Sequence, residues 1–303
     1  MQNFICAIVV TFNPEIELLK NQYNSVISQV DHIVYIDNNS NDIASLTLLF
    51  LNKFSAENNK ATVIYNNKNE GLGYAQNQGI KVAKKIGATH ILLLDHDSVL
   101  DSFFLDNLLK AENELLVRNI KVAAIGPTYI NKKSGEIYPI TKYVGPFIKR
   151  ISPDSLRFPV EASFIIASGS LIRISVLDVL GLMNEELFVD YIDVEWSFRA
   201  KNMGYGVYVS PKAPMNHQIG DNRISVFGRM ISVHSPTRRY YLARNSIYML
   251  RSPYVSWGYK LREFVFNVFR ILIFSLISND RVKYLKFSIR GLADGIKGRF
   301  GPL

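Results

Sequence analysis

Short apolar runs punctuate the first two-thirds of the chain, and between them apolar positions recur every three or four residues. Runs at residues 4–10, 32–36, 61–65, 91–94, 122–126 and 205–210 are too short for helices. Continuous apolar runs of this kind, bounded by polar residues, predict strands buried on both faces of a parallel sheet. The helical spacing predicts helices from 14 to about 29, at 42–54, 74–86, 102–118 and 174–180, and from Asp193 onward. Residues 127–159 predict irregular chain with a hairpin signal at Lys133-Ser134-Gly135, and residues 164–167 lead into the small residues Ser168-Gly169-Ser170. Strands alternating with helices of this length call for an α/β fold with a doubly wound, mostly parallel sheet and right-handed crossovers.

The polar residues that close the strands carry the candidate chemistry. The sharpest case is Ile91-Leu92-Leu93-Leu94-Asp95-His96-Asp97-Ser98. Ligands of open α/β sheets bind beyond the carboxyl ends of the strands. There one carboxylate can take a ribose hydroxyl and the other a hard divalent cation that bridges to phosphates. Asp97-Ser98 can equally do no more than cap the following helix. Gly71-x-Gly73 is not a dinucleotide fingerprint, because position 76 is Gln76 and the pair follows the third strand rather than the first. It predicts a turn of positive φ that brings backbone N–H groups and Asn77 near a ligand, or a plain turn into a helix. Ser168-Gly169-Ser170 allows close backbone approach by a ligand, or is simply a tight turn. A second acidic cluster, Asp190-Tyr191-Ile192-Asp193-Val194-Glu195, puts Asp193 at a helix start, where capping and catalysis are compatible.

Charge adds a local feature. The 303 residues carry a net charge of +9, yet from Arg229 onward fourteen lysines and arginines stand against three acidic residues. The first 228 residues are therefore slightly acidic. This marks residues 229–303 as a helical, basic region distinct from residues 1–228. Residues 257–277 mix aromatic and aliphatic side chains with Lys260, Arg262 and Arg270, and their uninterrupted apolar piece is far short of the ~20 residues a membrane span needs. Amphipathic helices lying on an anionic membrane surface fit this pattern, and helices packed in a homodimer compete with it. The lone Cys6 sits inside the first apolar run as a core residue, and with no secretory leader visible a cytoplasmic, reducing setting is expected.

In order and spacing, Val9-Val10-Thr11-Phe12-Asn13-Pro14, Asp37-Asn38-Asn39-Ser40, Asn69-Glu70-Gly71-Leu72-Gly73 with Asn77 and Gly79, Asp95-His96-Asp97, Ala167-Ser168-Gly169-Ser170 and the 190–195 cluster resemble the family 2 inverting glycosyltransferases of GT-A fold. Within them the chain resembles the bacterial rhamnosyltransferases of surface polysaccharide assembly, over about residues 4–250. The resemblance implies a catalytic domain at 1–228, with a nucleotide-sugar half (1–98) and an acceptor half (99–228), and a nucleotide pocket lined by Thr11 and Asn13, with Asp37 on the base, Asp95 on the ribose and Asn69, Gly71, Asn77 and His96 nearby. It implies Mg²⁺ or Mn²⁺ on Asp97, with His217 as a further metal or phosphate ligand, and Asp193 as general base. Many relatives carry Glu where this chain has Ile192; Asp190 can fill that space, and Glu195 is a further candidate. A similar Arg-Tyr-Tyr…Arg-Asn run in such enzymes implies that Arg238, Arg239 and Arg244 can reach a diphosphate. The implied donor is a nucleotide sugar, dTDP-L-rhamnose above UDP-hexoses. The implied acceptor is a lipid-linked or saccharide hydroxyl at the inner face of the bacterial plasma membrane.

The chemistry asks for these groups. Displacement with inversion loads negative charge onto the leaving diphosphate, which a divalent ion neutralises. The acceptor hydroxyl is far less acidic than a carboxylic acid of pKa ~3.9, so a carboxylate takes its proton only as the new bond forms. Metal and base must then face each other across one sugar. A sugar nucleotidyltransferase shares the plan but would place a glycine-rich basic loop after the first strand, where this chain has Thr-Phe-Asn-Pro. A nucleic-acid binder would explain the basic tail but not the acids at the strand ends.

Overall fold

The computed structural model describes residues 3–41, 60–131, 134–154, 156–217, 222–226, 229–233, 235–277 and 280–303, with backbone alone at 217, 222–226, 229–233 and 275–277. The helix expected at 42–54 lies outside the described residues. The expected strands form β1 (Ile5–Thr11), β2 (His32–Asp37), β3 (Ala61–Tyr65) and β4 (His90–Asp95), which pair in parallel in the order β3-β2-β1-β4. Helices α1 (Ile16–Val26), α2 (Leu72–Lys85) and α3 (Phe104–Leu116) are interleaved with them. Alternate residues of each strand go to opposite faces. Cys6, Ile8, Val34, Ile36, Ile91 and Leu93 pack under α2, while Ala7, Val9, Ile33, Tyr35, Leu92 and Leu94 pack under α1 and α3. Both faces are buried, which is why the strands read as unbroken apolar runs. Cys6 is fully buried, and burial pushes its thiol up to about 12, as suits an inert core residue.

The second half departs from the simple expectation. After the two-residue β5 (Val99–Leu100), β6 (Val122–Asn131) extends the sheet. The small residues 168–170 then lead into β10 (Ser170–Arg173), which runs antiparallel between β4 and β6. Local sequence gave no hint of this strand, since four residues of either direction look alike; its pairing is set by tertiary contacts. Within the stretch expected to be irregular, β7 (Ile140–Val144) and β8 (Phe147–Ile151) form a hairpin, and β9 (Val160–Ala162) adds to the sheet. The chain also doubles back near the expected turn, where Ile130 bridges Ile137. The last expected strand continues well past 210 as β11 (Gly206–His217), through Pro211 and Pro214, with a register break between Val209 and Pro214. Helices α4 (Ile174–Leu180) and α5 (Ile192–Asn202) cover the α2 face.

After the hairpin β12 (Asn222–Val226) and β13 (Arg229–Val233), the chain ends in α6 (Pro236–Arg251), α7 (Trp257–Ile277) and α8 (Arg281–Lys297). Ser235 caps α6 by accepting from the Arg238 N–H at 3.2 Å, with Pro236 in the first turn. Helices α6 and α8 touch backbone to backbone: a Cβ on Gly295 would come within 2.8 Å of the Arg244 carbonyl oxygen. Among the described residues no helix is long and apolar enough to cross a membrane.

Candidate active site

The parallel register brings the candidates to one edge of the sheet. Thr11 lies beside Asp37 and Val10 beside Asp95, so the end of β1 separates two acidic positions. On the β2 side, Asp37 is buried and accepts from Thr11 Oγ1 at 2.9 Å, Ser40 Oγ at 2.6 Å and the Ser40 N–H at 3.0 Å. Asn13, at φ +48°, donates its N–H to Ser40 Oγ and accepts from the Asn41 N–H. Thr11, Asn13 and Asp37 are thus welded into one unit by Ser40, a residue the sequence gave only as part of a motif. Tyr65 was missed altogether. It is part exposed at the end of β3, and its phenol is raised first by burial and then by the charge of Asp37.

The glycine turn is filled from within. Asn69 Oδ1 accepts from the Gly71 N–H at 3.0 Å and from Asn38 Nδ2 at 2.9 Å. Gly71 has φ +89°, as expected, but the neighbour that requires a glycine is Phe188, whose carbonyl oxygen would lie 2.7 Å from a Cβ there. That carbonyl takes the Leu72 N–H. Asn77 is buried, donates to the Met183 carbonyl (2.9 Å) and Glu185 Oε1 (2.8 Å), and accepts from the Met183 N–H (3.0 Å). Gly71 and Asn77 thus carry the chain segment 183–188 across the start of α2.

At the centre of the edge, Asp95, His96 and Asp97 form the turn after β4. Ser168 joins it to the 168–170 turn, donating to or accepting from Ser98 Oγ at 2.7 Å and taking the Asp95 N–H at 3.1 Å. Gly169, at φ +83°, presses against Pro127 and Met215, where a Cβ would come within 2.7 Å of Pro127 Cγ. The Ser168 carbonyl accepts from the Tyr129 hydroxyl at 2.6 Å. Tyr129 is the second residue the sequence did not single out. Its phenol is held well above the ordinary range by burial, then by the charge of Asp193, then by that of Asp95. Asp95 and Asp193, separated by about a hundred residues of chain, therefore act on one hydroxyl.

Asp193 sits in the first turn of α5 rather than at its cap, which is Tyr191. Burial pushes its carboxyl up to about 6, against the backbone N–H groups of Val194 and Ala167 that favour the charged form; nearby Asp190 adds a smaller push upward. Before it, Phe188, Asp190 and Tyr191 all have φ above +60°. Each such residue costs ~1–3 kcal/mol and persists only where its surroundings over-determine it. Arg238 forks onto Asp190, Nη2 to Oδ1 at 2.8 Å and Nε to Oδ2 at 3.1 Å. Asn245 Nδ2 donates to the carbonyls of Leu187, Val189 and Asp190 within 3.1 Å.

The arginine run therefore divides. Arg238 is part exposed beside Asp190, whereas Arg239 and Arg244, expected with it near a diphosphate, are buried. Arg239 Nη2 reaches Asn267 at 3.3 Å, and Arg244 Nη2 donates to the carbonyls of Glu186 and Leu187, with Nη1 on that of Gly301. Glu195 is likewise interior, paired with Arg199 at 2.9 Å and accepting from the Tyr254 hydroxyl at 2.6 Å. These three build the wall behind the site.

Asp97 is the exposed acid, and among the described residues its carboxylate has no hydrogen-bond or ion-pair partner. Two open oxygens on a turn suit Mg²⁺ or Mn²⁺, which take one or two carboxylates and complete their shells with phosphate oxygens and water. Among the described residues no cluster of three or more His, Cys, Asp and Glu side chains would hold an ion unaided, so the donor set fits an ion shared with a diphosphate. His217 ends β11, and its side chain lies outside what the structure describes.

Known proteins resemble this chain in sequence and in fold. Residues 6–181 match Glycosyl transferase family 2, a segment that includes Asp37, Asp95, Asp97 and the 168–170 turn. Over 303 residues the chain is 33% identical to the dTDP-rhamnosyl transferase RfbF of Shigella flexneri, covering 99% of this chain and 98% of that protein. Among solved structures, S. aureus TarS 1–349 in complex with UDP-GlcNAc superposes with a TM-score of 0.61 at 16% identity, over 97% of this chain and 81% of that one. The mannosyltransferase PcManGT of Pyrobaculum calidifontis, with GDP-Man and Mn²⁺, gives 0.58 at 14% identity, over 100% and 77%. These last two share the fold. With its sheet edge, its paired acids and a relative of matching length all in agreement, the chain belongs to glycosyl transferase family 2 and is a glycosyltransferase of GT-A fold.

Proposed function

We propose that the protein transfers L-rhamnose from dTDP-L-rhamnose, with inversion, to a hydroxyl of a lipid-linked or saccharide acceptor in bacterial surface polysaccharide synthesis. The observation that carries the mechanism is that one turn reaches both acids: the Ala167 N–H favours the Asp193 carboxylate while Ser168 Oγ takes the Asp95 N–H, which supports a single sugar bound between them. The donor identity rests on the full-length likeness to the Shigella flexneri enzyme.

In this mechanism the base seats near Asp37 and Tyr65, and Asp95 takes the ribose. Asp97 holds Mg²⁺ or Mn²⁺, which when bound supplies Lewis-acid neutralisation of the leaving diphosphate. Asp193 accepts the acceptor's proton as its oxygen attacks the anomeric carbon. A carboxylate raised to about 6 remains ionised at neutral pH yet is a stronger base than a free one, an advantage of the kind worth ~10²–10⁴ in rate. Arg238, held by Asp190 at the rim, is the cation available to phosphate.

Helix α7 supports a peripheral position on the anionic inner face of the plasma membrane. Its outward stripe of Trp257, Leu261, Phe264, Val268, Phe269 and Leu272 is exposed on a region rich in Lys and Arg. Two such surfaces facing each other in a homodimer would oppose like charges, whereas an anionic lipid surface takes both the apolar stripe and the cations.

The test is turnover by purified protein with Mg²⁺ across dTDP-rhamnose and a panel of UDP-sugars. Release of dTDP with loss of activity in Asp193→Asn is the expected result. Use of UDP-hexoses in place of dTDP-rhamnose would leave the family standing and overturn the donor.

A further inference from the structure

Helix α7 has an inner face as well as the exposed one. Along it, at helical spacing, stand Tyr259, Glu263, Asn267 and Arg270, and the first three are buried. Glu263 Oε1 accepts from Asn267 Nδ2 at 3.3 Å, faces Arg270 Nη1 at 3.4 Å and takes the hydroxyl of Tyr191. Asn267 in turn accepts from Arg239 of α6. Tyr191 is the left-handed residue that begins α5, two positions before Asp193, and its carbonyl takes the first N–H of that helix, from Glu195, at 2.7 Å. Burial, and after it the charge of Glu263, keep the Tyr191 phenol protonated, so it stays a donor.

The neighbouring bonds fix the rest of this turn but leave Tyr191 itself to α7. Asn245 holds the carbonyls up to Asp190, and Arg238 holds the Asp190 side chain. Among the described residues, Tyr191 reaches α7 through its hydroxyl on Glu263 and through its ring, which packs in one cluster with Tyr259. A buried carboxylate whose phenol partner lies on another element is costly unless the geometry is well kept, and here it is spent on the residue that sets the direction of α5.

We infer that Glu263 is a positioning residue: through the Tyr191 hydroxyl it fixes the left-handed turn that aims Asp193 at the acceptor. The basic C-terminal helices are then part of the catalytic apparatus, not only its attachment to a surface. This rests on Asp193 being the base.

The experiment uses the full chain and whichever nucleotide sugar the wild type turns over, so that a wrong donor is recognised first and separately. Tyr191→Phe removes one oxygen. It should lower kcat by about tenfold to a hundredfold, the scale of a misplaced catalytic group, while donor KM stays within about twofold. Glu263→Leu should lower kcat alike, and the double variant should be no worse than the single ones. Glu263→Gln, which keeps an acceptor oxygen, should restore most of the rate. Wild-type kcat in Tyr191→Phe overturns the inference, as do multiplying losses in the double variant or a rise in KM at constant kcat. If Glu263→Leu does not fold, Tyr191→Phe and Glu263→Gln decide by themselves.

Discussion

Asp193 shows how a single residue's surroundings set both its chemistry and its cost. Its carboxyl is raised from an ordinary value of 3.8 to about 6, chiefly by burial. Between those two values the folded protein binds the proton more tightly than the unfolded chain, so stability falls as pH rises from about 3.8 to about 6 and is level above. Asp193→Asn should therefore melt higher than wild type at pH 7.5, with the difference vanishing near pH 3.5, in paired thermal melts. The same variant should lose about 10²–10⁴ in kcat. For the wild type, kcat should fall with unit slope below about pH 6 as the base becomes protonated. Asp97, with open oxygens, is predicted to behave oppositely in stability: Asp97→Ala should leave the melting temperature nearly unchanged and abolish the rate response to Mg²⁺, read by titrating the ion.

At the scale of elements, the active edge is made by segments that cross one another with little room. The 168–170 turn meets β4 through Ser168, and its Gly169 is hemmed in by Pro127 at a positive φ. Gly169→Ala should destabilise by about 1–3 kcal/mol in denaturant melts and raise donor KM, since Ser168 moves with it. Helix α6 divides its arginines by the same logic. Arg244 is fully buried, donates to three carbonyls and packs against the rings of Tyr240, Tyr241 and Phe300, so Arg244→Ala empties the space of a large side chain and should cost about 3 kcal/mol or more. Arg238→Ala removes a part-exposed fork and should cost under about 1 kcal/mol of stability while lowering kcat, a contrast visible by running melts and kinetics on both.

For the whole molecule, the uneven charge and the exposed face of α7 underlie the proposed attachment to an anionic membrane surface. Co-sedimentation with vesicles rich in phosphatidylglycerol should exceed that with phosphatidylcholine and weaken as salt is raised, because exposed charges are screened beyond ~10 Å at 0.1 M. Phe264→Glu with Phe269→Glu should cut vesicle binding by at least about tenfold while turnover of a soluble acceptor is unchanged. Self-association detected by light scattering and lost in this double variant, with no vesicle binding, would assign the stripe to a second copy instead.

The sequence by itself determined the parallel half of the sheet, because strands buried on both faces must be unbroken apolar runs. It also placed Asp37, Asp95 and Asp97, because polar residues that end such strands have one edge to go to. It could not determine what each side chain is spent on. Asn77, Glu195, Arg239 and Arg244 carry the residue types of a binding site, yet the partners they meet are internal: backbone carbonyls for Asn77 and Arg244, the Asn267 amide for Arg239, and Arg199 with the Tyr254 hydroxyl for Glu195. Tyr129 and Tyr191 read as ordinary core aromatics until the fold set their hydroxyls beside acids. Strand β10, the three left-handed residues before Asp193 and the reach of α7 to Tyr191 were also decided only by tertiary structure. Local preference disfavours or ignores each of them, and long-range hydrogen bonds and packing supply the free energy that holds them in place.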